Sequence, residues 1–425
     1  VIRVRALRRG LALCGGLALC SPARPATAEP RAFRVAGEMP LPEWVQSAEV
    51  TRADEPIYQG PSGAEPRRGA AARGARLPVF GSKRGPGCRT RFLLVGALAW
   101  LCQDGVELSP AAPDTESDGV LPQSRDGLPY RYHFVGPDGS FGYRAVQTAE
   151  DGVPDAQLLK GFGVAVIRVE KNPEGTPFGL TTEDLWVPMR DLSPVAPIAF
   201  HGRELAGSLS VAWVTSQTAY AAPAPGKPQN PKLKLSRFQT LDVLEQRELG
   251  GHRWFRYADD AWLSDRDARA PTRAELPSGL RPGERWLDVD IASQVLTAYV
   301  GDRPVFATLV STGRGNDGST LATPRGIHRL WVKLRGSNMD NLDDESAAEN
   351  YAIQSVPWVM YFERGYGLHG TFWHRAFGNK HSHGCVNLTP LDAERLFGWT
   401  SPKLPPGWSA ALPTSYEPGT LVRVR

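Results

Sequence analysis

Four of the chain's eight histidines fall between positions 369 and 383, and a cysteine follows at 385. The segment reads His369-Gly370-Thr371, then Phe377-Gly378, then Ser382-His383-Gly384-Cys385-Val386-Asn387. Cysteine attacks a carbonyl carbon as its thiolate, yet a free thiol is mostly protonated at neutral pH. An imidazole alongside can take that proton and hold an ion pair. His369 and His383 both qualify as the base. His383 stands two residues before Cys385, on the same face of an extended chain, although Gly384 permits a bend. His369 lies 16 residues earlier, so a returning loop must bring it alongside. Gly384 also lets the backbone approach a substrate closely, which makes the N–H groups of Gly384 and Cys385 natural oxyanion donors.

The same residues allow other chemistry. His369, His381, His383 and Cys385 could ligate zinc, but structural zinc sites space their ligand pairs more widely and catalytic ones add a carboxylate. No metal or cofactor is therefore expected. An inert core thiol would suit Cys385 poorly, between a glycine and polar neighbours. His374 and His381 read as exposed loop residues. Asp340, Asp343, Asp344 and Glu345 offer oxygen ligands for calcium, with a solvated loop as the simpler reading.

Strands must position these groups. Gly and Pro number 44 and 37 in a chain of 425 residues, which favours turns and short strands over long helices. Leu287-Asp288-Val289-Asp290-Ile291 alternates as a half-buried strand does. Strands over 294–300 and 305–312 follow, joined by a hairpin turn at Gly301-Asp302. Trp358-Val359-Met360-Tyr361-Phe362 is a further strand leading toward His369. The one strong helix signal is 391–397, with Thr389 as its cap and Pro390 in the first helical position. A Pro- and Gly-rich linker at 271–284 precedes this region.

Upstream, 48–110 holds short strand-like runs at Pro56-Ile57-Tyr58, Leu77-Pro78-Val79-Phe80, Phe92-Leu93-Leu94-Val95 and Leu98-Ala99-Trp100-Leu101. A related pattern recurs in Tyr220, in 238–244, and in His252-Arg253-Trp254-Phe255-Arg256-Tyr257 before Ala261-Trp262-Leu263. Both copies end in Trp-Leu, a weak internal repeat. Residues 128–198 end similarly, in Leu185-Trp186-Val187-Pro188, and would enlarge the first unit. Short strands, tight turns and a terminal Trp resemble bacterial Src-homology-3-like barrels. The basic run Arg67-Arg68 with Arg73 and Arg76 reads as a solvated loop.

The first 28 residues look like a secretory signal. Arg3, Arg5, Arg8 and Arg9 flank an apolar stretch at 10–20, too short to span a bilayer, and Ala26-Thr27-Ala28 offers a cleavage site. Lipidation at Cys20 is the weaker alternative, since Leu19 stands where a small residue is wanted. No later segment is apolar and long enough to cross a membrane. Removing the five arginines of this segment turns the formal net charge of +4 into −1, which leaves no bulk electrostatic reason to bind nucleic acid. Export would place Cys88, Cys102 and Cys385 in an oxidising compartment. Cys88 and Cys102 flank an apolar hairpin and are expected to pair as a disulfide, leaving Cys385 as the free thiol.

His369, a gap, then Ser382-His383-Gly384-Cys385-Val386-Asn387 resembles the signature of the L,D-transpeptidase (YkuD-type) catalytic domain. Ser311-Thr312-Gly313 and Thr323-Pro324 with Gly326 support the resemblance. It implies a mainly β chain, organised as signal peptide 1–28, linker 29–47, Src-homology-3-like β modules at 48–200 and 210–270, and a β-sandwich catalytic domain at 284–425. It further implies an exported cell-wall or periplasmic acyltransferase acting on peptidoglycan stem peptides. Cys385 would be the nucleophile and His369 the base, oriented by the Gly370 carbonyl, with His383 supporting the site electrostatically. Ser382 and Asn387 would brace the loop, and a carbapenem would acylate Cys385. Phe372, Trp373 and Tyr361 are the candidates for a substrate groove, Phe372-Trp373-His374 being a bulky insertion and 334–350 a long acidic one. A hydrolase resolving the thioester with water, and a non-catalytic wall-binding protein, are the alternative readings.

Overall fold

A computed structural model describes residues 39–115, 126–149, 152–196, 198–342 and 351–425. The signal segment, most of the 29–47 linker, and Asp343, Asp344 and Glu345 lie outside them. Among the described residues no helix is long and apolar enough to cross a membrane.

The C-terminal region is a β-sandwich. One sheet has the order Arg203–Glu204, Arg303–Leu309, Val295–Val300, Arg285–Asp290, Leu421–Val424, Gly326–Arg329. The other centres on a long hairpin of Val332–Asp340 with Ala352–Glu363, extended by Tyr366–Gly370 and Val386–Leu388. Leu287, Val289, Leu296 and Val422 of the first sheet pack in one core against Met360, Leu368, Val386 and Leu388 of the second. The helix Pro390–Trp399 closes this core with Ala393, Leu396 and Phe397. It starts as the sequence predicts. Thr389 Oγ1 accepts the Asp392 N–H, and Pro390, which has no N–H to lose, fills the first turn. At the other end the buried Lys333 ammonium donates to Phe397 O at 2.5 Å and Thr400 O at 3.1 Å, satisfying carbonyls the helix leaves open.

The 285–290 strand departs from expectation. Alternation predicts one wet face, yet Asp288 and Asp290 are buried along with their apolar neighbours. Their charges are covered by Arg425, whose guanidinium meets Asp288 at 2.8 Å and Asp290 at 3.2 Å, and by Thr272 of the preceding linker. Burying a carboxylate is costly unless it is paired, and the chain terminus supplies the pair.

Upstream residues form three packing units. Residues 45–108 enclose a core of Val50, Ile57, Leu77, Leu93 and Leu101. The hairpin Phe92–Gly96 and Ala99–Cys102 carries the Cys88–Cys102 disulfide, with Cα atoms 5.6 Å apart. Residues 128–198 pack around Val164 and Val187 and around Phe178 and Trp186. Residues 211–270 make the third, around Phe255 and Leu263. Among the described residues the pairing of these strands is not seen to close into a barrel, so the Src-homology-3-like architecture stays an expectation.

The first unit is joined to the sandwich by backbone hydrogen bonds. Arg67–Ala71 pairs antiparallel with Trp408–Ala411, which pairs in turn with Val332–Asp340. This overturns the solvated-loop reading for Arg68, while Arg67 and Arg73 stay exposed. Arg68 is buried, bonds Leu412 O at 2.7 Å, ion-pairs with Glu417 at 3.0 Å and lies over the Trp408 ring. Gly69 is obligatory at this seam, because a Cβ there would stand 2.3 Å from Ala410 O and 2.6 Å from the Trp408 ring. We expect Gly69→Ala to destabilise the protein by roughly 1–3 kcal/mol through overpacking. Denaturant melts should show the loss, and an unchanged midpoint would refute the seam. Where the first unit, the 128–198 unit and the sandwich meet, they surround a cavity of about 600 Å³ lined by Asp54, Arg67, Tyr130, Glu183 and Arg335.

Candidate active site

Two short parallel strands set the site. Tyr366–Gly370 turns back from Ala352–Glu363, and Val386–Leu388 pairs beside it with Leu368 opposite Val386 and His369 opposite Asn387. Paired residues in a parallel ladder share a face, and every second residue returns to it. Continuing the register, Cys385 stands across from Gly367. Cys385 itself sits in the bend just before Val386–Leu388, with the Gly367 N–H at its sulfur.

His369 is buried at 2% exposure. Its Nδ1 lies 3.1 Å from Gly370 O and 3.3 Å from Thr371 Oγ1. A carbonyl can only accept, so Nδ1 carries the proton and the Nε2 lone pair is left as the base. Burial pushes the His369 pKa down to about 4, only partly opposed by the Gly370 carbonyl. Trp373 stacks on the ring with centroids 5.7 Å apart at 19°.

Cys385 is the free cysteine of the described residues and keeps partial exposure. Its Sγ lies 3.9 Å from Gly365 O. Burial of the sulfur raises its pKa, with the Gly367 N–H partly offsetting. A preformed thiolate–imidazolium pair, one option in the sequence, is thus disfavoured at both ends. The resting groups are a thiol and a neutral ring.

The loop bearing Cys385 is tightly braced. Ser382 Oγ donates to Cys385 O at 2.5 Å and accepts the Gly384 N–H at 3.1 Å. Gly384, expected as an oxyanion donor, has its N–H committed to this turn. Gly384 has φ +123°, and a Cβ would stand 2.4 Å from the Tyr366 ring, so only glycine fits. Thr323 Oγ1 accepts the Gly313 N–H at 2.8 Å and donates to Gly384 O at 2.7 Å. Asn387 exchanges backbone bonds with Ser311, at 3.0 and 2.9 Å. The Ser311-Thr312-Gly313 and Thr323-Pro324 motifs therefore act as a cradle for the cysteine loop.

Other expected site residues are placed differently. Phe372 is buried and packs on Tyr132 at 4.3 Å and Phe134 at 6.1 Å, rings of the 128–198 unit, so it has no face to give a substrate. His374 is half-buried, not an exposed loop residue. Its Nδ1 accepts the Ala376 N–H at 3.1 Å, and its Nε2 lies 2.7 Å from Asn387 Nδ2. Burial, then His381 and His369, push its pKa down to about 3. His381 is exposed, as expected. His383 turns to Arg314, 2.9 Å from its Nε2, and stacks on Tyr351 at 5.6 Å. Tyr361 stacks beneath the half-exposed Trp331 at 5.8 Å. Both Tyr351 and Tyr361 have pKa values raised by burial first and also by the charge of a Cys385 thiolate, so both are close enough to feel it. Sequence reasoning missed Tyr351, Tyr366 and Arg314. Of these only Arg314 carried a signal, its place directly after Ser311-Thr312-Gly313.

Residues 284–424 match the YkuD family, the L,D-transpeptidase catalytic domain. No curated protein matches the chain. Among solved structures, a mutant Enterococcus faecium L,D-transpeptidase is 22% identical, with 33% of this chain and 50% of that one covered and a TM-score of 0.25. The ertapenem-acylated catalytic domain from E. faecium is 22% identical over 34% of this chain and 100% of that one, at 0.26. An L,D-transpeptidase from Mycobacterium smegmatis is 19% identical over 42% and 79%, at 0.27. The chain thus spans half the length of the first of these relatives.

Proposed function

We propose that the L,D-transpeptidase catalytic domain of residues 284–424 transfers an acyl group through Cys385, with His369 as general base, between peptidoglycan stem peptides. The observation that supports this most is the His369 ring with its Nε2 left free, on a strand paired in parallel with the strand that directly follows the free Cys385. The proton leaves Cys385 for His369 Nε2 as sulfur attacks the carbonyl carbon of the donor peptide. The S–C bond forms, the peptide C–N bond breaks, and His369 returns the proton to the departing amine. A second amine then attacks the thioester, its N–C bond replaces the S–C bond, and its proton passes through His369 back to sulfur. The Cys385 N–H faces the oxygen that becomes negative in both steps. The Gly370 carbonyl stabilises the imidazolium formed in passing, in the position a triad gives to a carboxylate.

The reading places the protein outside the cytoplasm, in the cell wall or periplasm. The Cys88–Cys102 disulfide supports that, since such bonds persist in oxidising compartments. Defined tetrapeptide stems with the purified protein test the reaction, analysed by mass spectrometry. Cross-linked dimers are the expected product. Shortened monomers alone would make the enzyme a hydrolase on the same scaffold, and no product with unaltered wall binding would sink the enzymatic reading.

A further inference from the structure

Arg314 is an exposed cation next to the loop that carries Cys385. Its backbone N–H donates to Ser382 O at 2.9 Å, and the adjacent Gly313 bridges to Ser382, so its Cα is tied to the loop that carries the nucleophile. Its guanidinium donates to His383 Nε2 at 2.9 Å, which leaves that ring neutral with its proton on Nδ1. Burial first, then the Arg314 and His381 charges, push the His383 pKa down. The positive charge at this point is that of Arg314, and the His383 ring spaces it. The ring is fixed in turn by stacking on Tyr351.

A guanidinium has five N–H donors in a planar fork. Among the described residues no carboxylate pairs with Arg314; the acid of its own loop, Asp317, is given to Arg325 at 3.0 Å. A guanidinium with no acid partner among the described residues, held by a neutral ring and by a backbone clamp to the loop that carries Cys385, is built to meet an anion that arrives with the substrate.

We propose that Arg314 is the carboxylate receptor of the acyl-donor site. This deepens the transpeptidase reading and rests on it. A donor peptide offers two such groups, its free C-terminal carboxylate and an acidic side chain. The C-terminal one stands three bonds from the scissile carbonyl carbon when a single residue leaves.

The test compares three synthetic donors with the unaltered enzyme, Arg314→Ala and Arg314→Lys: the free acid, the C-terminal amide and the side-chain amide. The unaltered enzyme should prefer the free acid over one of the amides by at least about tenfold in kcat/KM, the size of a charge-assisted hydrogen bond. Whichever amide is penalised names the carboxylate. Arg314→Ala should erase that preference, mainly through KM, and Arg314→Lys should restore part of it, as a point charge without the fork. Each ratio is taken within one variant, so partial unfolding would not move it. A preference that survives in Arg314→Ala overturns this inference and leaves the transpeptidase reading intact. An unaltered enzyme that forms no thioester with any donor overturns both.

Discussion

Cys385→Ala should leave no measurable turnover, a loss of at least about 10⁴-fold, and should take up no carbapenem. The residue supplies the only bond by which the acyl group can be held. Cys385→Ser should recover almost nothing. Burial pushes the pKa of His369, the proposed base, down to about 4, far too low to draw a proton from a hydroxyl. Sulfur tolerates that weak base because a thiol is more acidic and its anion far more nucleophilic. Burial raises the thiol as well, so proton transfer must accompany attack instead of preceding it. Intact-protein mass spectrometry with a carbapenem reads this directly. The unaltered enzyme should gain one adduct, and neither variant should. An adduct that persists in Cys385→Ala would locate the reactive group elsewhere and remove the basis of the mechanism.

The catalytic-domain family of residues 284–424 was legible in the sequence because the motif that carries it is local. A free cysteine on a glycine turn and a histidine before Gly370 need few distant facts. The Thr389-Pro390 helix start and the Cys88–Cys102 hairpin were legible for the same reason. What failed depended on contacts far apart in the chain. Asp288 looked solvent-facing because its cover, Arg425, lies 137 residues away. Arg68 looked like part of a wet loop because Glu417 and Trp408 are supplied by the far end of the sandwich. Phe372 looked like a groove wall because Tyr132, which takes its ring, belongs to another unit. Local propensity cannot see such partners, and each error has the same sign: a residue judged exposed was buried by another part of the chain.

That aromatic seam leads to the second large effect. Phe372 is gripped by Tyr132 and Phe134, Trp373 meets Phe372 edge-on at 5.1 Å, and Trp373 lies flat on His369. The 128–198 unit thereby helps to keep water off the base. His369 acts only when neutral, so kcat/KM should fall with acid through a pKa of about 4 and stay level from about pH 5 to neutrality. A wet imidazole would instead give a limb near 6.5. Trp373→Ala should move the limb upward. A full return to 6.5 would cost about thirtyfold at pH 5 relative to the variant's own plateau, and little at pH 7.5. Trp373→Phe should keep the low limb, and His369→Ala should lose roughly 10²- to 10⁴-fold at every pH. The sign for stability runs the same way. His369 and His374, with pKa values near 4 and 3 in the fold, bind protons more readily unfolded, so the fold weakens as pH drops below about 6.5. Circular dichroism at each pH separates that loss from the kinetic one. A limb near 6.5 in the unaltered enzyme, or one unmoved by Trp373→Ala in folded protein, would show that the tryptophan does not control the base.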